Sequence, residues 1–494
     1  MEHRAEIREY RNRRRIFIDG APFLVLGIQF DFLNCTRVED FDYLFEHAVT
    51  MGVNTVFFPV RWFVVEPEEG RYDWTVLDHA LKRCKEKGLK MSVLWFGTNQ
   101  GGSINPAPDW MKKDTKRFRR MMDEGKEVDG FCPVCEETLK TEKRSFDGML
   151  KHLAVVDSAD HTVILFQVEN EICIRMNHRR SEGWPKPLLD HWPERCRCAV
   201  CEEKFEKSER GGWEFGVRSL TDYLNGLLKD QKKLFPALSY VNFPINPLRG
   251  GEDIGFYLSE CPNLDVVGAD YYGFSPGDLA FAMNYFSQGR NIPFIAEHST
   301  ESLGDADMNL YLSICQHGVQ CFSPWAIDHA FGWRAWRDHV EEKPFVSKDG
   351  TWSDAAILYG RAQSSLNRIS LKVAETAGTE DFMWYVSHRI PRNVEERRWG
   401  VRWRMTSGRN SQWACCRTSD NEFTIAGVET TVTIRPLSTK KKLDVEQGYW
   451  TRKGWVRENK MEPAVSRAEA DKTEAAAFVF ELDNGKAYKI IISQ

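Results

Sequence analysis

Two glutamates, Glu171 in FQVENEI and Glu297 in PFIAEHSTES, close apolar runs that otherwise read as buried strand. An ionised carboxylate is costly to bury unless it is hydrogen-bonded or paired. Two carboxylates facing each other across a cleft can do glycoside chemistry. One protonates the leaving oxygen, and the other attacks the anomeric carbon or activates water against it. A separation of about 5–5.5 Å gives retention of configuration, and about 6.5–9.5 Å gives inversion. In a strand, residues two apart share a face. On that rule Gln167, Glu169 and Glu171 point the same way, with Glu171 outermost. The plainer alternative is a pair of unrelated edge carboxylates bound to Arg61 or His298.

A second chemistry lies in the cysteines. RCRCAVCEEKF holds Cys196, Cys198 and Cys201, and FCPVC holds Cys132 and Cys135. C-x-C-x-x-C with a distant fourth thiolate suits a tetrahedral Zn²⁺ site. Four thiolates leave no open position, so such a metal would be structural and catalysis would need no cofactor. The alternative is a set of free buried cysteines. The others, Cys415 and Cys416 included, show no ligand spacing.

These residues need a frame. Eight short apolar runs recur at 23–30, 54–62, 90–97, 162–171, 238–243, 264–272, 292–299 and 318–327, with charged, periodic segments between them. Nearly all-apolar strands alternating with helices indicate a parallel sheet covered on both faces. Eight such units predict an α/β fold, a (β/α)8 TIM barrel with insertions. Polar residues gather where the runs end: Gln29, Asp31, Arg61, Asn99, Glu171, Asn242, Tyr272, Glu297 and Trp325. That end is the catalytic face of such a barrel. Glu171 closes the fourth strand and Glu297 the seventh, on roughly opposite sides of the mouth. After about residue 375 the pattern alternates as half-buried strands do, in TTVTIRP, AAAFVFEL and AYKIIIS. The chain therefore divides into a barrel with cysteine-rich insertions over 1–375 and a C-terminal all-β, sandwich-like domain over 376–494.

Composition sets outer bounds. With 494 residues, 42% hydrophobic and 28% charged, the chain has a globular balance. A formal net charge of −5 gives no general pull toward nucleic acid or anionic membrane. The run RNRRR, Arg11 to Arg15, reads as a solvated lead-in to the first strand. The N-terminal segment has no apolar stretch of signal-peptide length, and no run reaches the roughly 18 apolar residues of a membrane helix. The thirteen cysteines, an odd number with close spacings, fit a reducing compartment, so a cytoplasmic location is expected.

Asn-Glu at the end of strand 4 and Glu at the end of strand 7 resemble the clan A glycoside hydrolases. RWFVVEPEEGRYDW and FQVENEI resemble the β-galactosidases of glycoside hydrolase families 35 and 42. APDWMKKDTKRFRRM and NEFTIAGVETTVTIRP resemble a bacterial branch with a C-terminal β-domain. The resemblance implies Glu171 as acid/base and Glu297 as nucleophile. It implies Asn170 at the sugar 2-hydroxyl, Arg61 near the nucleophile and Tyr272 hydrogen-bonded to it, with Tyr271 facing away. Trp325 in SPWAIDH is carried over as the sugar platform, at a point where the sequence departs from the branch. Glu169 is expected to be a structural carboxylate inside the barrel. Loops at Asn99-Gln100, Asn242, Asn246 and His298-Ser299 would choose the sugar. The cysteine cluster resembles that of family 42, in which the fourth ligand precedes the acid/base; Cys132 fits that place best and Cys135 competes.

The expected activity is a retaining exo-glycosidase acting on a terminal β-linked sugar, most simply a β-galactoside, in an oligosaccharide or glycoside. Other sugars on the same carboxylates are the alternative: β-glucoside, β-mannoside, β-glucuronide or α-arabinoside. So is a non-catalytic, zinc-containing glycan-binding protein, which would have no need of both carboxylates. No nucleic-acid or membrane partner is expected, and a homo-oligomer is compatible with the sequence.

Overall fold

The computed structural model describes residues 4–98, 106–172, 195–244, 254–273, 275–300, 305–329, 343–463, 477–483 and 485–493. Eight parallel strands close into a barrel: β1 (Val25–Gln29), β2 (Thr55–Arg61), β3 (Lys90–Phe96), β4 (Val163–Val168), β5 (Leu238–Pro244), β6 (Val266–Tyr271), β7 (Ile295–His298) and β8 (Cys321–Pro324). The ring is sealed where β8 meets β1, with Cys321 opposite Val25 and Phe322 opposite Leu26. All eight expected strands are present, at the predicted runs.

Strand alternation sorts the side chains. Val25, Phe57, Leu94, Leu165, Tyr240, Phe294 and Cys321 fill the interior. Their neighbours Leu26, Phe58, Val93 and Phe166 face outward onto the helices. One helix shows how the outer layer forms. In α1 (Thr75–Lys87), Leu77, Ala80, Leu81 and Cys84 are buried at helical spacing, and Gly88 ends the helix at φ 67°.

An antiparallel hairpin, Ala5–Tyr10 with Arg13–Ile18, precedes the barrel. Its Ile16 and Ile18 join the interior cluster at the N-terminal ends of the strands and close that end. The basic run is solvated only in part: Arg11 and Arg13 are exposed, but the run ends inside. Arg15 is buried, and its guanidinium donates to the Ala377 carbonyl at 2.8 Å. Arg13 donates to the Gly378 carbonyl at 3.2 Å, and Arg11 pairs with Asp381 at 3.0 Å. The arginines fasten the hairpin to the segment that leads into the C-terminal strands.

Those strands form one antiparallel, eight-stranded sheet with a core of its own. Two long strands, Val401–Ser419 and Glu422–Pro436, run through it and shift register between Ser407 and Gln412. On either side of that break they pair with different partners. Phe382–Val386 takes one half of the first long strand and Asn393–Arg398 takes the other. Among the described residues no helix is long and apolar enough to cross a membrane.

Candidate active site and metal centre

The carboxylate of Glu297, 4% exposed at the end of β7, is built into the mouth of the barrel. The Tyr272 hydroxyl donates to its Oε2. Asn242 Nδ2 and Gln29 Nε2 approach its Oε1 at 3.3 and 3.4 Å. Hydrogen bonds to the charged form favour it. Burial, and next the charge of Glu297, push the Tyr272 hydroxyl well above its ordinary pKa, so it stays protonated and keeps donating. His298 is engaged elsewhere. It donates from Nδ1 to the Ser299 carbonyl at 2.7 Å and accepts from Asn309 Nδ2 at 3.0 Å. Burial lowers its pKa to about 4, which keeps the ring neutral.

Glu171 lies past the end of β4, half-buried, and acts on the same Tyr272 through its charge. Its backbone N–H donates to Asn242 Oδ1 at 2.9 Å. Asn242 Nδ2 reaches Asn170 Oδ1 at 3.1 Å and Asp270 Oδ2 at 3.0 Å as well as Glu297. One amide on β5 thus ties together the ends of β4, β6 and β7. Asn242 is fully buried and spends both ends of its amide on the protein, where the sequence placed it at the sugar. Asn170 Oδ1 also accepts from Gln167 at 3.0 Å.

The alternation expected of Gln167, Glu169 and Glu171 does not hold. The strand stops at Val168, and Glu169 and Glu171 have φ of 62° and 47°. The left-handed residue at 169 reverses the side-chain sequence. Glu169 leaves the interior and accepts from the Thr98 N–H at 2.7 Å, beside Glu142 of α2 (Glu136–Val156). It is structural, but it sits behind the barrel wall.

Tyr271 faces outward, with its hydroxyl on the Ser275 carbonyl at 2.9 Å. Trp325 packs edge-on against Tyr272 with ring centroids 6.0 Å apart, which places an indole beside the tyrosine that holds Glu297. Arg61, expected near Glu297, ends β2. Its guanidinium lies 4.4 Å over the Phe63 ring, and the carboxylate acting on it is Asp31 at the end of β1. Asp31 belongs to a second acidic group. Its N–H donates to Asp328 Oδ1 at 2.8 Å and its carboxyl meets His329 at 3.2 Å. Burial, opposed by a bond from the Leu33 N–H and reinforced by Asp328, pushes Asp31 up to about 6. Asn99, Gln100 and Asn246 lie outside the described residues.

Two residues escaped the sequence reading. Asp270 shares the inward face of Tyr272, and the alternation that placed the tyrosine would have placed it too. Glu142 interrupts a buried helical stripe of Thr138, Ser145, Phe146 and Met149. An acid in such a stripe is a signal, because a carboxylate there needs donors.

The cysteines converge. The ligand atoms of Cys132, Cys196, Cys198 and Cys201 lie within 4.8 Å of one another, all buried, and could hold a metal ion. Cys132 Sγ is 3.4 Å from Cys201 Sγ and 3.8 Å from Cys198 Sγ. Cys135 is turned away, its thiol donating to the Arg117 carbonyl at 3.5 Å. The Met122 N–H points at Cys196 Sγ at 3.4 Å, as outer donors do at ligated sulfur. Burial opposes the charge on the Arg119 guanidinium beside Cys132, but the sulfurs raise its pKa, and its charge would offset part of that of four thiolates. The site joins the hairpin after β3 to the segment after β4.

A closed (β/α)8 barrel with carboxylates at the ends of β4 and β7 is the architecture of a glycoside hydrolase barrel. The family model described as β-galactosidase, glycoside hydrolase family 42, matches residues 36–192. That span runs from the loop after β1 past Glu171. Two solved structures share the fold. A polyextremophilic β-galactosidase from the Antarctic haloarchaeon Halorubrum lacusprofundi matches at TM-score 0.50 and 13% identity, over 72% of this chain and 62% of that one. A cold-adapted β-galactosidase from Rahnella sp. R3 matches at TM-score 0.50 and 15% identity, over 71% and 57%. The chain thus spans less than two thirds of either enzyme, and identities this low speak for the fold alone. No curated protein matches in sequence.

Proposed function

We propose that the protein is a retaining exo-glycoside hydrolase that removes a terminal β-linked sugar, a β-galactoside, by double displacement. The observation that carries this reading is the cradle of Glu297. Tyr272, Asn242 and Gln29 donate to one carboxylate at the end of β7, and the same Asn242 fixes the backbone of Glu171 at the end of β4. Glu297 attacks the anomeric carbon while Glu171 protonates the leaving oxygen. Glu171 then takes a proton from water, which releases the sugar. Asn170 takes the sugar 2-hydroxyl, Trp325 forms its platform, and Arg61 at the end of β2 stands near the nucleophile. Asn242 is a positioning residue. The family match over residues 36–192 supports the galactoside.

Cys132, Cys196, Cys198 and Cys201 would hold Zn²⁺, which supplies structure to the insertions and no step of the reaction. The twelve described cysteines are all free, which suits a reducing, cytoplasmic setting.

The test is a panel of p-nitrophenyl glycosides with wild type, Glu171→Gln and Glu297→Gln, and with azide added to the alanine variants. β-Galactoside cleavage lost in both glutamine variants is expected. Azide should give a β-galactosyl azide from Glu171→Ala and an α-azide from Glu297→Ala. Activity that survives either glutamine substitution would falsify the assignment, and cleavage of a different sugar would replace the substrate.

A further inference from the structure

We infer that Glu142 and Glu169 form a carboxyl pair that positions Glu171, by holding the left-handed turn at Glu169. This rests on the reading of Glu171 as acid/base. Glu142 is fully buried on α2 and is gripped by three donors from the barrel and its helices. Trp95 Nε1 donates to its Oε1 at 2.9 Å, Thr98 Oγ1 donates to its Oε2 at 2.6 Å, and the Tyr223 hydroxyl, on α3 (Gly212–Leu228), donates to the same oxygen. The grip fixes Thr98, whose backbone N–H holds Glu169. Both carboxyls crowd the same face of Gly97. A Cβ there would lie 2.0 Å from Glu142 Oε1 and 2.4 Å from Glu169 Oε1, so any larger residue would push the two carboxyls from their places.

The turn decides where the catalytic group points. Continued as a strand, β4 would send Glu169 into the barrel and Asn170 out. With φ 62° at Glu169 the order is reversed, Asn170 enters the interior, and the Glu171 N–H meets Asn242. A left-handed glutamate is disfavoured and persists only where its surroundings over-determine it. Glu142 and Thr98 are those surroundings. The pair touches neither sugar nor reacting atoms, and its part is positional.

Leaving-group dependence separates this from a general structural role. A positioned acid matters for a poor leaving group and little for a good one. Glu169→Ala should lower kcat/KM about 10²-fold for phenyl β-galactoside, the scale of a misplaced general acid, and leave that for 2,4-dinitrophenyl β-galactoside nearly unchanged. Glu169→Gln keeps an oxygen acceptor for the Thr98 N–H and should restore most of the loss. Tyr223→Phe should show the same selectivity more weakly. An equal loss on both substrates would overturn the inference. A second readout needs no activity: crystal structures of the Ala and Gln variants. The Glu171 N–H should leave Asn242 Oδ1 in the first and stay on it in the second. An unmoved Glu171 in Glu169→Ala overturns the inference. If wild type cleaves no glycoside, the proposed function fails, and these structures still decide the positioning.

Discussion

Removing the metal should release one lobe of the protein and leave the barrel standing. The cluster that packs the cysteine site contains Met121, Cys132, Cys135, Cys196, Cys198, Cys201 and Phe215 as its buried residues. Apart from the cysteines, Met121 and Phe215 are its buried apolar side chains, with Met122, Val134, Val200 and Phe205 partly buried against them. At about 1.5–3 kcal/mol for each fully buried side chain, the first two contribute about 3–6 kcal/mol, and the four partly buried ones up to about as much again. A structural Zn²⁺ contributes about 10–16 kcal/mol in peptides at neutral pH. A bound metal would therefore stabilise this lobe at least as much as its apolar packing does. The hairpin Arg120–Asp123/Lys126–Phe131 and the helix Ala199–Glu206 should depend on it. The barrel has a core of its own and should not. The assay has three parts: metal per chain by native mass spectrometry, limited proteolysis with and without a chelator, and the melting curve followed by circular dichroism. One equivalent of zinc is expected. Chelation should open cleavage near residues 120–135 and 195–206 while the barrel transition persists. A protein that purifies without metal, with that lobe already resistant to protease, would refute the reasoning.

Tyr272→Phe removes the hydroxyl from Glu297. A hydrogen bond to a charged group is worth about 1.5–3 kcal/mol, so kcat/KM for an aryl galactoside should fall about 10–150-fold; an unchanged value would deny that contact a role. Asp31 has its folded pKa raised from 3.8 to about 6, so between those values the folded state binds the extra proton. Its contribution is full below pH 3.8 and is lost as pH rises through about 6, at most about 3 kcal/mol. Asp31→Asn should flatten that part of the stability profile in urea melts at pH 4.5 and 7.5, and an unchanged slope would refute it. Arg389 pairs with Asp305 at 3.0 Å and with the buried Asp307 at 2.8 Å. Arg389→Ala strands that charge and should destabilise the protein by about 3 kcal/mol in the same melts.

The barrel was legible because its strands are nearly all apolar and their ends are polar. VILFQV and VVGADY admit few other readings. The cysteine ligands were legible for a similar reason, since thiolate spacing is local, and the choice of Cys132 over Cys135 needed only the direction of one side chain. The end of β4 was not legible. Alternation is a rule for extended backbone, and nothing in VENEI announces two residues at positive φ. The turn is imposed from outside, by Thr98 and by Glu142 on a helix that ends before the strand begins. The contacts of Asn242 were illegible for a related reason. An asparagine at a strand end reads as a sugar ligand, and the four protein groups this amide meets come together only in the closed ring. The anchoring role of the basic run was hidden similarly, because the carbonyls that Arg13 and Arg15 bind lie over 360 residues away in sequence.

The two carboxylates are held in different ways, and the difference suits their proposed work. Glu297 is clamped by its side chain: three donors on β1, on β5 and at the end of β6 fix both oxygens, and only 4% of the residue is exposed. A nucleophile needs that, because it must meet one carbon along one line. Glu171 is anchored at its backbone, by the N–H on Asn242, and its residue is half-buried and so more open than Glu297. An acid/base must serve two proton transfers, first to a leaving oxygen and then from a water that takes its place. The single amide of Asn242 links the two carboxylates, so a shift at the end of β5 would move the nucleophile's donor and the acid's anchor together. Asn242→Ala should therefore damage both half-reactions. Azide should not rescue it as it rescues Glu171→Ala, and full rescue would show that the two carboxylates are positioned independently.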